Sequence, residues 1–392
     1  MNIDELVSDL SNQDKIAIVV VGYNRIHSIK RLLNSLLDSE YPSNDIPLVI
    51  SIDCSGDIEL YDYVSRFEWP FGDKYVNIQK ERLGLKDHIY KCGDLTEYFR
   101  AIVLLEDDLV VSPYFYSYVV KMLNTYGDES KIAQISLYKN EMNGYVGLPF
   151  DNLQKGYDVF LMQDVSTWGE CWNKRMWSDF RCWLNEHDEA YVQNVDMPQA
   201  IKDWTRAWSK YYNAYVVDTG KYVLYPNIAV ATNFSDAGEH GGNNNSIVQV
   251  NLLQSDFEYR LAPCEDLICY DIYFNNAFIY NWLNLSPDEL CLDLYGFNPN
   301  NFNKRYVVST RILPYKILKS YALNMRPIEL NIKNNIYGEG IYLYDTSIKW
   351  NADCNKLNGT LIAYFLRAFN IKYLLRYVIR YCFNAIKRKL FI

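Results

Sequence analysis

Paired cysteines are absent from this chain of 392 residues. Its nine cysteines are scattered, their number is odd, and no two of them form a Cys-x-x-Cys pair. A disulfide framework or a structural zinc site needs closer, paired spacing. Because the chain has only four histidines, a histidine-based metal site is excluded too. The cysteines are therefore expected to be reduced thiols, as in a cytosolic protein.

Long apolar runs are also missing. No stretch reaches the roughly 20 apolar residues needed to span a bilayer. The start, MNIDELVSDLSNQDK, is polar and acidic, so no signal peptide is expected. Acidic residues are absent from 361–392, although this segment has seven lysines and arginines and the whole chain has a net charge of −9. An acidic body argues against nucleic-acid binding, and a basic end indicates a surface anchor.

The remaining composition is that of a folded protein. Apolar residues make up 49% of the chain, enough for a large core in two or three packed units. The 35 tyrosines suit sugar binding, because flat rings stack on pyranose faces while hydroxyls form hydrogen bonds. A general bias of the composition toward Tyr, Asn, Ile and Lys explains the tyrosines equally well.

Three short apolar runs in the first third of the chain predict strands buried on both faces. They are IAIVVV at 16–21, LVISI at 48–52 and AIVLL at 101–105. Leucines at helical spacing after the first run predict a helix between the first two runs. A second helix is predicted around 59–67, between the second run and the third. Alternating strands and helices predict an α/β fold with a mostly parallel sheet flanked by helices. Ligands of such sheets bind beyond the carboxyl ends of the strands.

Weaker patterns organise the rest of the chain. We predict a helix from Pro113 to Leu123, a strand at 131–137, a helix at 197–212 and a strand at 222–231. The predicted domains are a catalytic domain at 1–245, an accessory region of mixed or β character at 246–360, and a terminal helix at 361–392. Within the first, 16–112 would bind a nucleotide-sugar and 113–245 the acceptor.

An acidic triplet, Glu106-Asp107-Asp108, directly follows the third apolar run. Carboxylate oxygens suit Mg²⁺ or Mn²⁺, and such an ion can neutralise charge that develops on a leaving diphosphate. The alternative is a solvated acidic turn. Leu109-Val110-Val111 continues the apolar run, however, and a buried run does not usually carry three charges without a cation or another partner.

Several segments around this triplet resemble the donor-binding half of GT-A-fold glycosyltransferases. The resemblance is greatest to the N-acetylglucosaminyltransferase I family and looser to bacterial family 2 enzymes. It is carried by residues 16–24, by Ser51-Ile52-Asp53-Cys54, and by the triplet with its Leu-Val-Val-Ser-Pro-Tyr-Phe continuation. Weaker similarity follows at 168–172, 202–204 and 239–241. The resemblance implies a Rossmann-like, nucleotide-sugar-binding mixed sheet flanked by helices, followed by the accessory region and a terminal amphipathic helix.

Roles for the donor-side residues follow from this resemblance. Asp108 would hold Mn²⁺ or Mg²⁺, and Glu106 and Asp107 would contact the ribose and sugar of the donor. Asp53 would hydrogen-bond the nucleotide base. Arg25 would lie near the nucleotide or its phosphates, since an arginine at a helix start is otherwise unfavourable to the helix dipole.

The catalytic base has two candidates. Inverting transfer needs a carboxylate that accepts the proton of the acceptor hydroxyl. The family has its base in an Asp-Asp-Trp-like segment, and Lys202-Asp203-Trp204 is the best match, so Asp203 is the first candidate. This sequence has one aspartate there instead of two, which leaves Asp164 as the rival.

Three further residues are candidates for donor contacts. Trp168 would form a platform for a sugar or belong to the core, whereas Trp172 and Trp177 are expected in the core. His240 would reach the diphosphate. His88 is a weaker candidate near the nucleotide.

The basic terminal segment has apolar residues at helical spacing, with Lys372, Arg376, Arg380 and Lys387 along another face. This profile is typical of a helix lying in the interface of an anionic membrane. The alternatives are a helix packed on the body or on a partner.

Together these features predict a metal-dependent, inverting glycosyltransferase. It would move a sugar from a UDP-linked donor to a hydroxyl of a glycan or lipid-linked saccharide in surface polysaccharide synthesis, at the inner face of the cell membrane. One alternative is a sugar nucleotidyltransferase, although Gly22-Tyr23-Asn24-Arg25 is a poor version of its glycine-rich phosphate loop. Another is an inactive, membrane-associated carbohydrate-binding or assembly protein.

Overall fold

The structure is a computed structural model that describes residues 12–236, 248–299, 303–352, 354, 358–367 and 370–390, the last seven of them by backbone only. The chain forms two compact units. Unit 1 comprises Met1–Tyr145 and Leu153–Ala277, and unit 2 comprises Val146–Asn152 and Phe278–Ile392.

The helices vary from one turn to more than five turns. They are α1 (Ile26–Leu37), α2 (Ile58–Arg66), α3 (Leu85–Gly93), α4 (Phe115–Tyr126), α5 (Lys174–Glu186), α6 (Glu189–Asn194), α7 (Gln199–Lys202), α8 (Trp208–Asp218), α9 (Phe278–Leu283), α10 (Leu330–Lys333), α11 (Gly359–Leu366) and α12 (Ile371–Leu390). No helix in the described ranges is long and apolar enough to cross a membrane.

The strands are mostly short. They are β1 (Ile16–Gly22), β2 (Leu48–Ile52), β3 (Lys74–Ile78), β4 (Ala101–Glu106), β5 (Leu109–Val111), β6 (Ile132–Ser136), β7 (Met142–Asn143), β8 (Leu148–Pro149), β9 (Val159–Met162), β10 (Glu170–Asn173), β11 (Tyr222–Pro226), β12 (Ala231–Asn233), β13 (Cys269–Tyr270), β14 (Leu290–Asp293), β15 (Tyr306–Ser309), β16 (Tyr315–Ala322) and β17 (Gly340–Lys349).

Unit 1 is built on a nine-stranded mixed sheet in the order β13-β9-β11-β6-β10-β4-β1-β2-β3. The four strands from β4 to β3 run parallel, with Val21 opposite Glu106 and Gly22 opposite Ile52. Every residue of β1 is buried, which explains its unbroken apolar sequence. The predicted α/β class, a large mixed sheet flanked by helices, is confirmed.

An aromatic cluster fills the core beside β10. Trp172 and Trp177 are fully buried, and their ring centroids lie 4.8 Å apart. Phe180 and Tyr212 pack against them, with centroids 4.6 Å from each other. The prediction that Trp172 and Trp177 belong to the core is confirmed.

The single helix predicted at 197–212 is wrong. The chain forms α7, ends it at Asp203, and starts α8 at Trp208 after an extended Ala207. The buried indole of Trp208 packs edge-on against Trp172 at 5.8 Å. This tertiary contact fixes where α8 begins and leaves Trp204 in the connection, where Lys210 Nζ donates to its carbonyl at 3.1 Å.

The division between the units falls at Ala277 rather than near residue 245, because β13 pairs with β9 and so belongs to the sheet of unit 1. Unit 2 contains a four-stranded sheet in the order β14-β15-β17-β16, in which only the β14–β15 pair is parallel. The roles predicted for the acceptor half, the accessory region and the terminal helix stay predictions.

Candidate active site

The carboxyl ends of β1, β2 and β4 open into a cleft of about 1050 Å³ within unit 1. Arg25 follows β1, Asp53 follows β2, and Glu106 is the last residue of β4. Because these strands are parallel and adjacent, their following residues share one edge of the sheet. Arg25, Asp53 and all three triplet residues line the cleft, so the residues predicted to converge do so.

The triplet forms the floor of this cleft. Asp107 and Asp108 make a two-residue turn between β4 and β5, and β5 pairs with β12. Only 5% of the Asp107 side chain and 16% of the Asp108 side chain are exposed. The triplet therefore interrupts buried chain, as its sequence context predicts, and its charges need partners.

Arg25 is the partner that the structure supplies. Its Nε donates to Asp107 Oδ2 at 3.2 Å, its Nη2 donates to Asp107 Oδ1, and its Nη1 donates to Asp108 Oδ2 at 3.1 Å. Burial lowers the pKa of the guanidinium, but the charges and hydrogen bonds of Asp107 and Asp108 raise it above its ordinary value. These carboxylates also offset the unfavourable position of a cation at the start of α1. Contact of Arg25 with a phosphate stays a prediction.

A single guanidinium does not neutralise the whole cluster. Burial raises the pKa of Glu106 to about 8, with further increases from Asp108 and Asp107. Burial also raises the pKa of Asp107 to about 6, against the lowering effect of Arg25. Glu106 therefore holds its proton at pH 7 in the unliganded site, and a cationic ligand would favour the ionised carboxylate.

Glu170 adds a buried carboxyl group that sequence reasoning passed over. It starts β10, which runs antiparallel to β4 with Glu170 opposite Leu104. Its side chain is fully buried, and among the described residues no side chain forms a hydrogen bond with either carboxylate oxygen. Burial and the charge of Glu106 raise the pKa of Glu170 well above its ordinary value. Its position in the Trp-Gly-Glu-Cys-Trp segment was the sequence feature that could have identified it as a candidate.

Asp53 lines the cleft but is engaged by the protein itself. Its Oδ1 accepts from the backbone N–H groups of Cys54 at 2.8 Å and Leu83 at 2.9 Å, and its Oδ2 accepts from Gly84 at 2.9 Å. The carboxylate therefore ties the loop before α3 to the end of β2. The predicted hydrogen bond to a nucleotide base is not tested by this arrangement.

His88 also reaches the cleft, from the first turn of α3. Its Nε2 lies 2.7 Å from Ser51 Oγ, and the residue is buried. Burial lowers the pKa of His88 to about 4, with an opposing effect from Asp53, so the ring is neutral at pH 7. A neutral imidazole supports the loop and β2 but gives no positive charge for a diphosphate.

Trp168 lies on the wall of the cleft, with its ring edge-on to Tyr138 at a centroid distance of 4.6 Å. The following Gly169 has φ +98°, and a Cβ there would lie 3.0 Å from Leu137 Cβ and 3.1 Å from Ala231 Cβ. Glycine is therefore required beside Trp168 by both conformation and space. Trp168 is partly buried at the edge of the cleft, and its role as a platform for a sugar stays a prediction.

The two base candidates lie in different surroundings. Asp203 lines the cleft, is exposed, and accepts from Gln199 Nε2 at 2.9 Å. Asp164 does not line it; its carboxylate is buried and accepts from Tyr145 Oη at 2.5 Å and Asn140 Nδ2 at 3.1 Å. Burial raises the pKa of Asp164 to about 6 against these hydrogen bonds. The structure thus places Asp203, and not Asp164, in the lining of the cleft that contains the triplet.

His240 lies outside the described residues. Close to it in sequence, Asp236 lines the cleft, accepts from Ser28 Oγ at 2.6 Å, and forms an ion pair with Arg31. Asp236 was not among the residues predicted from the sequence. The acidic residue after β12 offered no pattern that would have identified it.

Basic and aromatic side chains complete the cleft and were not predicted. The Arg82 guanidinium lies 4.7 Å from the centre of the Tyr23 ring, and Lys86 Nζ lies 5.2 Å from that of Tyr211. Arg206 and Trp204 lie in the connection between α7 and α8. The site therefore presents cations and aromatic faces as well as carboxylates.

A divalent cation fits part of this donor set. In the described ranges, no group of three or more His, Cys, Asp or Glu side chains is arranged to hold a metal ion. The cleft does offer carboxylate oxygen ligands, and Asp108 is the more exposed of the two aspartates. Mg²⁺ is commonly held by one or two carboxylates together with water and substrate phosphates, which matches this supply.

Comparison with known proteins gives distant structural similarity only. No protein-family model and no curated protein matches the chain. Similar solved structures include TarS 1-349 of S. aureus with UDP-GlcNAc, at 13% identity and a TM-score of 0.37, covering 58% of this chain and 60% of that one. The same protein with UDP is 13% identical, with a TM-score of 0.35, and the alignment covers 55% of this chain and 59% of that one.

A third similar structure is the mannosyltransferase PcManGT of Pyrobaculum calidifontis in complex with GDP-Man and Mn²⁺. It is 18% identical, with a TM-score of 0.29, and the alignment covers 35% of this chain and 39% of that one. The chain thus spans at most 60% of the length of these proteins. At such distances, function has to be argued from the cleft itself.

Proposed function

We propose that the protein is a GT-A-type glycosyltransferase that uses a nucleotide-sugar, in the first instance a UDP-linked one. The observation that carries this proposal is the convergence of Arg25, Asp53 and the acidic triplet at the carboxyl edge of four parallel strands. A cleft of about 1050 Å³ at this edge has room for a nucleotide-sugar and part of an acceptor.

The reaction is a displacement at the anomeric carbon of the donor sugar. An acceptor hydroxyl forms the new C–O bond, the bond from that carbon to the diphosphate breaks, and the nucleoside diphosphate leaves with the electron pair. The hydroxyl proton goes to a carboxylate base. A bound Mn²⁺ or Mg²⁺ would supply charge neutralisation for the leaving diphosphate. In this proposal Asp108 holds that ion, and Glu106 and Asp107 face the donor.

Asp203 is the base in this proposal. Its exposed carboxylate lines the cleft and accepts one hydrogen bond from the described residues, which leaves lone pairs to accept a proton. Trp168 and Trp204 border the same space and provide apolar faces for sugar rings. Asp203 on the acceptor side and the triplet on the donor side would flank the reacting carbon, as inversion by a single displacement requires.

We further propose that a glycan or lipid-linked saccharide is the acceptor and that the protein acts peripherally at the inner face of the cell membrane. The support comes from α12 in unit 2, where Tyr373, Tyr377 and Tyr381 are exposed one helical turn apart. Lys372, Arg376 and Arg380 are exposed at the adjacent positions. Such a helix can lie in the headgroup region of an anionic bilayer.

Nucleotide binding with and without metal tests the transferase proposal. Thermal shifts would be measured with UDP-GlcNAc, GDP-Man, UDP, GDP and CMP, each with and without Mn²⁺. One nucleotide should stabilise the protein strongly only when Mn²⁺ is present, because a ligand that binds the folded state alone raises its stability. Asp108→Ala should abolish the metal effect, and the matched Asp188→Ala, at an exposed helix N-cap, should preserve it. Absence of any nucleotide effect would refute the proposal.

A further inference from the structure

The four-stranded sheet of unit 2 has an exposed surface at one edge that is both basic and apolar. Strand β16 is the edge strand, and its residues 316–319 are all exposed. Residues 347–350, at the end of β17 and just beyond it, are exposed as well. The edge patch consists of Lys316, Ile317, Leu318, Lys319, Ile348, Lys349 and Trp350.

The two segments form one continuous surface. Tyr315 of β16 pairs with Lys349 of β17, and the Trp350 N–H donates to the Pro314 carbonyl at 2.9 Å. Residues 348–350 therefore lie directly beside the start of β16. A register shift between Ile317 and Lys319 leaves Leu318 out of the ladder, so two consecutive apolar side chains are exposed, by 47% and 46%.

The charge of the edge patch has one sign. Its three lysines are exposed, and it contains no acidic residue. The carboxylate next to it in the ladder, Asp345, has a side chain only 6% exposed and is bound by Ser347 Oγ at 2.5 Å and Arg305 Nη2 at 3.6 Å. This carboxylate is thus already paired and does not neutralise the lysines.

We propose that the edge patch binds the surface of an anionic lipid bilayer. The lysines would meet anionic headgroups, while Ile317, Leu318 and Ile348 would enter the headgroup–acyl boundary. Trp350, which is 63% exposed, has the amphipathic ring that is favoured at this depth. A second copy of the chain fits less well, because pairing two edge strands would set lysines against lysines.

This bilayer contact is distinct from sugar transfer and from the helix α12. It needs no property of the cleft in unit 1, and its residues belong to a β-sheet edge. If α12 also lies on a membrane, the chain has two separate attachments, and stable attachment of peripheral proteins commonly takes two signals. A cleft that fails to bind nucleotides would leave the edge patch proposal unaffected.

Vesicle binding by the full-length protein tests the inference. Sedimentation with vesicles of phosphatidylcholine alone, and of phosphatidylcholine with phosphatidylglycerol, gives the partition coefficient. Lys316, Lys319 and Lys349 would be changed together to Gln. Each lysine near an anionic surface contributes about fivefold in affinity, so the triple variant should bind anionic vesicles at least tenfold more weakly. Changing exposed Lys91, Lys121 and Lys131 of unit 1 to Gln is the matched control and should have little effect.

The apolar part has its own test. Ile317→Ser with Ile348→Ser should weaken binding to the same vesicles, whereas Ile58→Ser, at a still more exposed isoleucine of unit 1, should not. Brominated lipids should quench the wild-type tryptophan fluorescence more than that of Trp350→Phe. Circular dichroism and the thermal midpoint verify that each variant is folded.

Two results would overturn the inference. The first is unchanged vesicle binding and unchanged quenching in the edge patch variants, with binding lost only when Arg376 and Arg380 of α12 become Glu. The second is a loss of self-association in analytical ultracentrifugation without any change on vesicles. That outcome would assign the edge patch to contact between copies of the chain.

Discussion

The guanidinium of Arg25 holds both carboxylate oxygens of Asp107, although 82 residues separate the two in sequence. This bidentate pair lies at the point where β1 and β4 end side by side. It converts a buried acidic turn into a stable part of the cleft floor. It also sets the charge that a donor or a metal ion would encounter.

Removing Arg25 should destabilise the protein. In Arg25→Gln, the Asp107 carboxylate stays buried without a cation, and breaking such a pair typically costs about 3–5 kcal/mol of unfolding free energy. The free energy of unfolding of Arg25→Lys should lie between those of wild type and Arg25→Gln, because an ammonium keeps the charge but cannot bind two oxygens in a bidentate pair. Urea unfolding at pH 7 measures the difference. Adding Asp107→Asn to Arg25→Gln should restore part of the loss, and a double variant no more stable than Arg25→Gln would contradict this account.

The loop before α3 should depend on Asp53. In Asp53→Ala, three backbone N–H groups lose their acceptor, so the amides of Leu83 and Gly84 should exchange hydrogen at least tenfold faster. Hydrogen-exchange mass spectrometry over 79–88 measures this. Asp57→Ala, which removes the helix cap on Leu60, serves as the control and should affect only the start of α2. Unchanged protection of 83–84 in Asp53→Ala would show that the carboxylate does not hold the loop.

Substitutions of Asp203 and of Asp164 should have different effects on turnover. If the protein transfers sugar and Asp203 is the base, Asp203→Asn should lower kcat by about 10²–10⁴-fold and leave nucleotide binding unchanged. Asp164→Asn should retain turnover, because Asp164 does not line the cleft. Steady-state kinetics with thermal-shift titration of nucleotide distinguishes the two. Loss of turnover in a folded Asp164→Asn variant, with Asp203→Asn active, would reverse the assignment.

The contribution of Asp164 to the free energy of unfolding should fall as the pH rises through the acidic range. Its pKa is about 6 in the folded protein against an ordinary 3.8, so the folded state binds the proton more tightly than the unfolded state. Its contribution is fully present below pH 3.8 and falls by about 3 kcal/mol between pH 4 and pH 6. Urea unfolding of wild type and Asp164→Asn across this range gives the difference. A wild-type curve parallel to that of the variant would contradict the prediction.

Much of the parallel half of unit 1 could be predicted from the sequence, because buried strands leave a local pattern. The runs that became β1, β2 and β4 are continuous and β-branched, and strand direction then places Arg25, Asp53 and the triplet at one edge. Local patterns were less informative where tertiary contacts decide the ends of a helix. The helix predicted at 197–212 breaks because the buried Trp208 packs on Trp172, and no local signal marks that contact.

The sequence alone placed Arg25, Asp53 and the acidic triplet at one edge of the sheet, because buried apolar runs alternating with helices mark parallel strands whose carboxyl ends lie together. Only the tertiary structure decided which hydrogen bonds and ion pairs those residues form. In the tertiary structure Asp53 binds the backbone of the loop at 83–84, Arg25 binds Asp107, and Glu170 is buried with no side-chain hydrogen bond from the described residues. The physical reason is that a hydrogen bond or ion pair depends on distances between chain segments far apart in sequence. Local periodicity identifies strands and helices, but it does not contain those distances.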